Sequence, residues 1–253
     1  MPDIDQPTDD APLTRDEIRA IEALARRQRA ANGLMMRTIN FVGAQVDDTL
    51  KLLPQGARGQ IERGVRQALM TSYELAARTR SGPAGRAIQS DGAHKAMATL
   101  SGAVGGFGGL PTALAELPVA TTMIFRAVQS VAESYGEDPT SVETRMACLA
   151  VFGASDAHEE SLDTAFLGAR LGLTGAAVHS LIARVSPRFA TVLTQKLATQ
   201  AVPILGAAAG AGTNYAFTQY YVEMAHVHFG LRKLGRLYGE DKVLDQFHTA
   251  LSD

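Results

Sequence analysis

The stretch LATQAVPILGAAAGAGTNYAFTQYYV, residues 197–222, carries no charged side chain. Nothing in it alternates apolar and polar residues as a half-buried strand would, so it reads as helix. Its length reaches the roughly 20 residues that a bilayer-spanning helix needs. Its composition argues the other way, because Ala and Gly contribute little transfer energy and Asn214 and Gln219 would need partners in hydrocarbon. Gly206 and Gly210 repeat a small residue at i, i+4, a spacing that lets helix backbones approach closely. Pro203 stands just before them. The stretch is therefore expected to form a Gly-rich apolar helical hairpin, closely packed in a core or docked on a surface.

A second run of the same kind lies upstream. Residues 96–115 are uncharged and contain GAVGGFGGLP (102–111), in which five glycines, Gly105, Gly106 and Gly109 among them, precede Pro111. That density of glycine argues against one uninterrupted helix. The expectation is a helix, a glycine hinge, and a second helix from about Pro118 to Tyr135 ended by Gly136.

Outward from these runs the chain keeps helical periods. Thr14 and Glu17 form a capping box, and Asn32-Gly33 supplies a left-handed stop, which predicts a first helix over 15–31. Ile39, Val42, Val46, Leu50 and Leu53 mark one buried face before Pro54. Ile61, Val65, Leu69 (or Ala68), Ser72 and Leu75 mark another, broken by Ser81-Gly82-Pro83. Further helices are expected at 140–152, 160–170 and 175–185, with Pro187 opening the next, and a long amphipathic segment reaches Tyr238. The tetrapeptide YGED occurs at 135–138 and again at 238–241. Strand signals are nearly absent, so the fold class is all-α: a multi-helix bundle with two Gly-rich apolar hairpins. Residues 1–13, with four aspartates and three prolines, read as a disordered acidic tail, and 14–253 as a single helical domain.

Composition narrows function more than it defines it. The 253 residues carry 24 Lys+Arg and 26 Asp+Glu, a net charge of −2, so no sequence-wide basic footprint for nucleic acid exists. Residues 15–95 hold 14 Lys+Arg and 8 Asp+Glu, which gives the front of the chain a local excess of positive charge. The start lacks the basic and apolar regions of a secretory signal, and one cysteine, Cys148, suits a reducing compartment; a cytoplasmic protein is expected. Cys148 in MACLAVF reads as a core residue. Arg15, Arg19, Arg26, Arg27 and Arg29 read as a solvated face of the first helix, able to meet anionic lipid.

Catalytic signatures fail on spacing. No phosphate-cradling G-x-x-x-x-G-K-[ST] and no G-x-S-x-G nucleophile elbow occur, and His158-Glu159-Glu160 lacks the second histidine of a zincin. Glu223, His226 and His228 are the weak candidates for a metal. On a helix His226 and His228 stand about 200° apart and point to opposite sides. Glu223 and His226 share a face as E-x-x-H, but a di-iron bundle needs a second copy, and none of the other glutamates has a histidine three residues on. No catalytic residue, resident metal or cofactor is assigned.

Several segments, in order and spacing, resemble the EcsC family. They are LLP (52–54), SGAVGGFGGLP (101–111), FRAVQSVAESYGEDP (125–139), MACLAVFGAS (146–155), VPILGAAAGAGTN (202–214) and AHVHFGLRKL (225–234). The positions that carry the resemblance are Gly105, Gly106, Gly109, Pro111, Arg126, Tyr135, Gly136, Pro203, Gly206, Gly210, Asn214, His228 and Arg232. The resemblance implies a helical protein associated with membranes or with an ABC transporter, without an assigned active site. The leading expectation is a non-enzymatic accessory protein at the cytoplasmic face of the inner membrane, meeting the membrane surface or a membrane protein such as a transporter. The alternatives are a peptidase-like hydrolase built on Glu223, His226, His228 and the acidic cluster near His158, and a self-associating homo-oligomeric bundle with the glycine faces as its seam.

Overall fold

The computed structural model describes residues 12–43, 57–78, 109–153, 175–199 and 206–252. Seven helices make up these segments: α1 (Arg15–Gly43), α2 (Ala57–Arg78), α3 (Gly109–Ser134), α4 (Val142–Val151), α5 (Gly175–Thr199), α6 (Gly206–Tyr238) and α7 (Glu240–Ser252). No strand occurs among the described residues, and the fold is an all-α bundle.

Helix α6 is the axis of the bundle. Phe217, Tyr220, Tyr221, Val222, Met224, Ala225, Val227, Phe229 and Leu231 are all buried, so both sides of the helix are covered. From Phe217 to Leu231 the helix is covered on nearly all sides, which is the pattern of a central helix, while Lys233, Arg236 and Leu237 keep the last part of the amphipathic segment exposed as expected. Its lower half packs into the main core, where Phe152 stacks on Tyr221 at 5.0 Å and on Phe125 of α3 at 6.2 Å, and meets Phe189 of α5 edge-on at 5.1 Å. Such aromatic pairs add to the area they bury. The upper half, through Val227 and Leu231, joins Ile21, Leu24 and Ala25 of α1 and Val243, Phe247 and Ala250 of α7 in a smaller cluster.

These contacts fix the helix directions. Phe125 and Tyr135 of α3 lie beside the levels of Tyr221 and His226, so α3 and α6 run parallel. Arg27 meets Glu223, while Leu24, earlier on α1, lies against Gly230, later on α6, so α1 runs antiparallel to it. The starts of α3 and α6 and the far end of α1 therefore share one end of the bundle. Both glycine runs feed that end.

Four expectations are corrected. Helix α1 continues through Asn32-Gly33 to Gly43, because Ala31 and Met35 flank the glycine in the core. Burying one such side chain is worth about 1.5–3 kcal/mol, more than the roughly 1 kcal/mol a helical glycine costs. Pro118 lies inside α3 and Pro187 inside α5, where each was expected to open a helix. Leu75, placed on the buried stripe of α2, is exposed, although Ile61, Val65, Ala68, Leu69 and Ser72 of that stripe are buried. Helix α7, which lies beyond every expected segment, follows α6 after Gly239 alone. Val46, Leu50, Leu53 and Pro54, the Ser81–Pro83 break, the hinge at 102–108 and the 160–170 helix lie outside the described residues.

Candidate functional site

The polar groups that the bundle brings together line α6 at two levels. The upper one is built on the first YGED. Helix α3 ends in a Schellman turn: Gly136 N–H donates to the Glu133 carbonyl at 3.0 Å, Glu137 N–H donates to the Ala132 carbonyl at 3.1 Å, and Gly136 sits at φ +87°. Only glycine adopts that conformation without strain. The turn sends Glu137 toward α6, where Arg232 Nε donates to its Oε1 at 3.1 Å. Arg236 pairs with the same carboxylate, and Arg232 also pairs with Glu143 of α4. Arg232 and Glu137 side chains are only 7% and 8% exposed, whereas Glu143 and Arg236 are about half exposed at 51% and 55%. A buried ion pair with an exposed partner on each side is a clamp that fixes the α3–α4 turn to α6.

The rest of the turn is equally committed. Asp138 accepts from the backbone and hydroxyl of Thr140 at 2.9 and 2.7 Å, Ser141 caps α4 by accepting from Thr144 N at 3.1 Å, and buried Gln129 donates to the Pro139 carbonyl at 3.1 Å. The second YGED does the same local job: Gly239, at φ +94°, ends α6, and Glu240 and Asp241 fall in the first turn of α7, where acidic groups favour the helix dipole. The repeated tetrapeptide is thus a repeated helix stop.

The lower level joins α1, α3 and α6. Arg27 pairs with Glu223, Gln219 Nε2 donates to the other oxygen of Glu223 at 2.6 Å, and the Tyr135 hydroxyl lies 3.3 Å from His226 Nδ1. Burial pushes the Tyr135 phenol up, with nearby Arg27 opposing it. His228 faces elsewhere, fully enclosed between the core and Arg232; burial, then the Arg232 charge, hold its pKa down to about 3, so it is neutral at pH 7. The metal candidates therefore separate: Glu223 is taken by Arg27 and Gln219, His226 by Tyr135, and His228 lies apart. Among the described residues no group of three His, Cys, Asp or Glu stands close enough to hold a metal ion.

Other sequence-predicted positions are placed as follows. Gly109 opens α3 with Pro111 in its first turn, where a missing N–H costs nothing. Gly206, Gly210 and Asn214 lie in the first turns of α6. Arg126 donates to the Leu75 carbonyl at 3.4 Å, tying α3 to α2. Cys148 is a buried core residue. The arginines of α1 are not one solvated face: Arg27 holds Glu223, and Arg29 reaches carbonyls at the end of α7. Gly105, Gly106, Pro203 and the cluster near His158 lie outside the described residues.

A family model for the EcsC protein family matches residues 27–234, well over half of the chain. The chain belongs to the EcsC protein family. No curated protein and no solved structure matches it. The EcsC match runs from Arg27 to Leu234 and so takes in both polar levels apart from Arg236, while most of the smaller α1–α7 cluster lies beyond it. Within the EcsC region, Tyr135, Gly136, His228 and Arg232 converge on the junction of α3, α4 and α6. Sequence reasoning missed Glu137 and Glu143, the partners of Arg232, and read Arg27, the partner of Glu223, as part of a solvated face. The signal was present for Glu137 alone, as the charged residue directly after the left-handed glycine.

Three large apolar side chains are half-exposed on the halves of α1, α3 and α6 that run to the glycine end of the bundle: Met36, Val119 and Tyr215, 56%, 53% and 45% exposed. Met36 lies on the descending end of α1, and the other two follow the first turns of α3 and α6. No helix among the described residues is long and apolar enough to cross a membrane.

Proposed function

We propose that this EcsC-family protein is a non-enzymatic accessory protein that docks at the cytoplasmic face of a membrane through the glycine end of its bundle. The observation that carries the reading is the half-exposure of Met36, Val119 and Tyr215 on the halves of three helices that run to the end where two helices, preceded by uncharged glycine-rich runs, begin. Half-exposed apolar and aromatic side chains at one end of a helical bundle suit the lipid interface, where Tyr keeps its hydroxyl wet and its ring in the headgroups. Among the described residues, Glu223, His226 and Arg232 of α6 are engaged by Arg27, Tyr135 and Glu137 respectively.

Flotation with protein-free vesicles of phosphatidylglycerol and phosphatidylethanolamine tests it. The chain is expected to float with the vesicles at low salt. The Val119→Asp/Tyr215→Asp variant is expected to remain in the dense fraction, and Leu237→Asp at the opposite end to behave as the parent. A parent chain that ignores the vesicles would turn the reading toward a protein partner in the membrane, such as a transporter.

A further inference from the structure

Helix α7 joins α6 through a single residue. Gly239 stands at φ +94°, yet the bonds on either side of it keep helical spacing: its N–H donates to the Gly235 carbonyl at 3.0 Å, and Val243 N–H donates to the Gly239 carbonyl at 3.2 Å. Glycine takes either sign of φ at little cost, so a change at this one position turns α6 and α7 into one straight helix over 206–252. A hinge this short invites exchange of the element beyond it between two copies of a chain.

The seat that α7 fills is well defined. Val243, Phe247 and Ala250 lie between Leu24 of α1 and Leu231 of α6, in a cluster separate from the aromatic core, so that core does not depend on which copy supplies α7. Tyr238, just before the hinge, hydrogen-bonds Glu17 near the start of α1, and Arg29 donates to the Ala250 and Leu251 carbonyls at the end of α7. Helix α7 therefore runs along α1 in the same direction and antiparallel to α6. A second copy's α7 in the same seat brings that copy's straightened α6 alongside in the antiparallel sense. The two chains are then related by a twofold axis near Gly239, both seats are filled, and the pair closes on itself. Gly235, one turn before the hinge, carries no side chain to hold the crossing helices apart.

We infer that two copies of this chain pair by exchanging α7: Gly239 straightens, and the α7 of each copy fills the seat between α1 and α6 of the other. The exchange is independent of the membrane reading. It sets the two glycine ends at opposite poles, about 100 Å apart for two 33-residue α6 helices end to end.

Light scattering and small-angle X-ray scattering test it in the full chain. The parent is expected to pass from the mass of one chain to that of two as concentration rises, with a maximum dimension of at least about 100 Å. Gly239→Ala disfavours the left-handed corner at both hinges of the pair, and the dimer dissociation constant is expected to fall about 30-fold. Gly235→Cys/Glu240→Cys locks the corner. A β-carbon at position 235 stands 3.7 Å from Glu240 Cβ, within disulfide range, whereas on a straight helix these positions are too far apart to bridge. The oxidised variant is expected to keep the mass of one chain with unchanged helix content by circular dichroism, and reduction to restore pairing; buried Cys148 takes no part. A Gly239→Ala chain that stays monomeric, pairing that survives the lock, or a dimer no longer than a single chain would overturn the exchange and leave the membrane reading standing.

Discussion

The two ends of helix α6 are built on opposite principles. At its C-terminal end Arg232, Glu137, Glu143 and Arg236 interlock, a glycine with positive φ stops α3, and another stops α6. Toward its N-terminal end small uncharged residues precede Tyr215, and Met36 of α1 and Val119 of α3 stand half in water as it does. One end is specified by directional, charged contacts that tolerate little change. Toward the other end the described residues present half-exposed apolar side chains, the surface on which the proposed membrane contact rests.

Mutations sharpen the contrast. The largest effect is expected at the clamp: Arg232→Ala leaves Glu137 buried beside a half-exposed arginine alone, and should lower stability by about 3–5 kcal/mol, read as a shifted urea midpoint. Next comes acid sensitivity. His228 titrates near 3 in the folded chain against 6.5 in the unfolded one. Between those values the unfolded state binds the extra proton, so stability is complete above about pH 6.5 and falls as pH drops toward 3, by up to about 1.4 kcal/mol per pH unit. Urea melts at pH 7 and pH 5 should show a smaller difference in His228→Gln than in the parent. Gly136→Ala and Gly239→Ala force a side chain into the left-handed region, and each should cost about 1–2 kcal/mol. Smallest of all, Tyr215→Ser at the glycine end should change thermal stability by no more than about 0.5 kcal/mol, while weakening vesicle flotation. A clamp variant that melts like the parent, or a Tyr215 variant that unfolds the chain, would erase the distinction between the ends.

What the sequence revealed follows the same division. Local signals were legible: the stripe Ile61, Val65 and Leu69, the pairing of Thr14 with Glu17 at the start of α1, and Gly136 as a stop all appear in the structure. Where burial outweighs local preference the reading failed, as at Gly33 and Pro187, each carried inside a helix by core contacts on either side, and at Pro118, which is followed within α3 by buried Thr121, Ile124 and Phe125. The site was less legible than the fold. Tyr135, Gly136, His228 and Arg232 were singled out, yet Glu137 and Arg232 lie 95 positions apart and Arg27 and Glu223 lie 196 apart. No period or motif encodes pairs at such separation; only the parallel course of α3 and the antiparallel course of α1 bring them together.

The chain contains no tryptophan, so one introduced residue reports on one place. Tyr215→Trp at the glycine end and Leu237→Trp at the clamped end, each titrated with phosphatidylglycerol-containing vesicles, compare the two ends directly. Blue-shifted emission and quenching by brominated acyl chains at position 215, with neither at 237, is the predicted result. Emission at 215 that stays that of a water-exposed indole while the protein sits on the vesicles would contradict it.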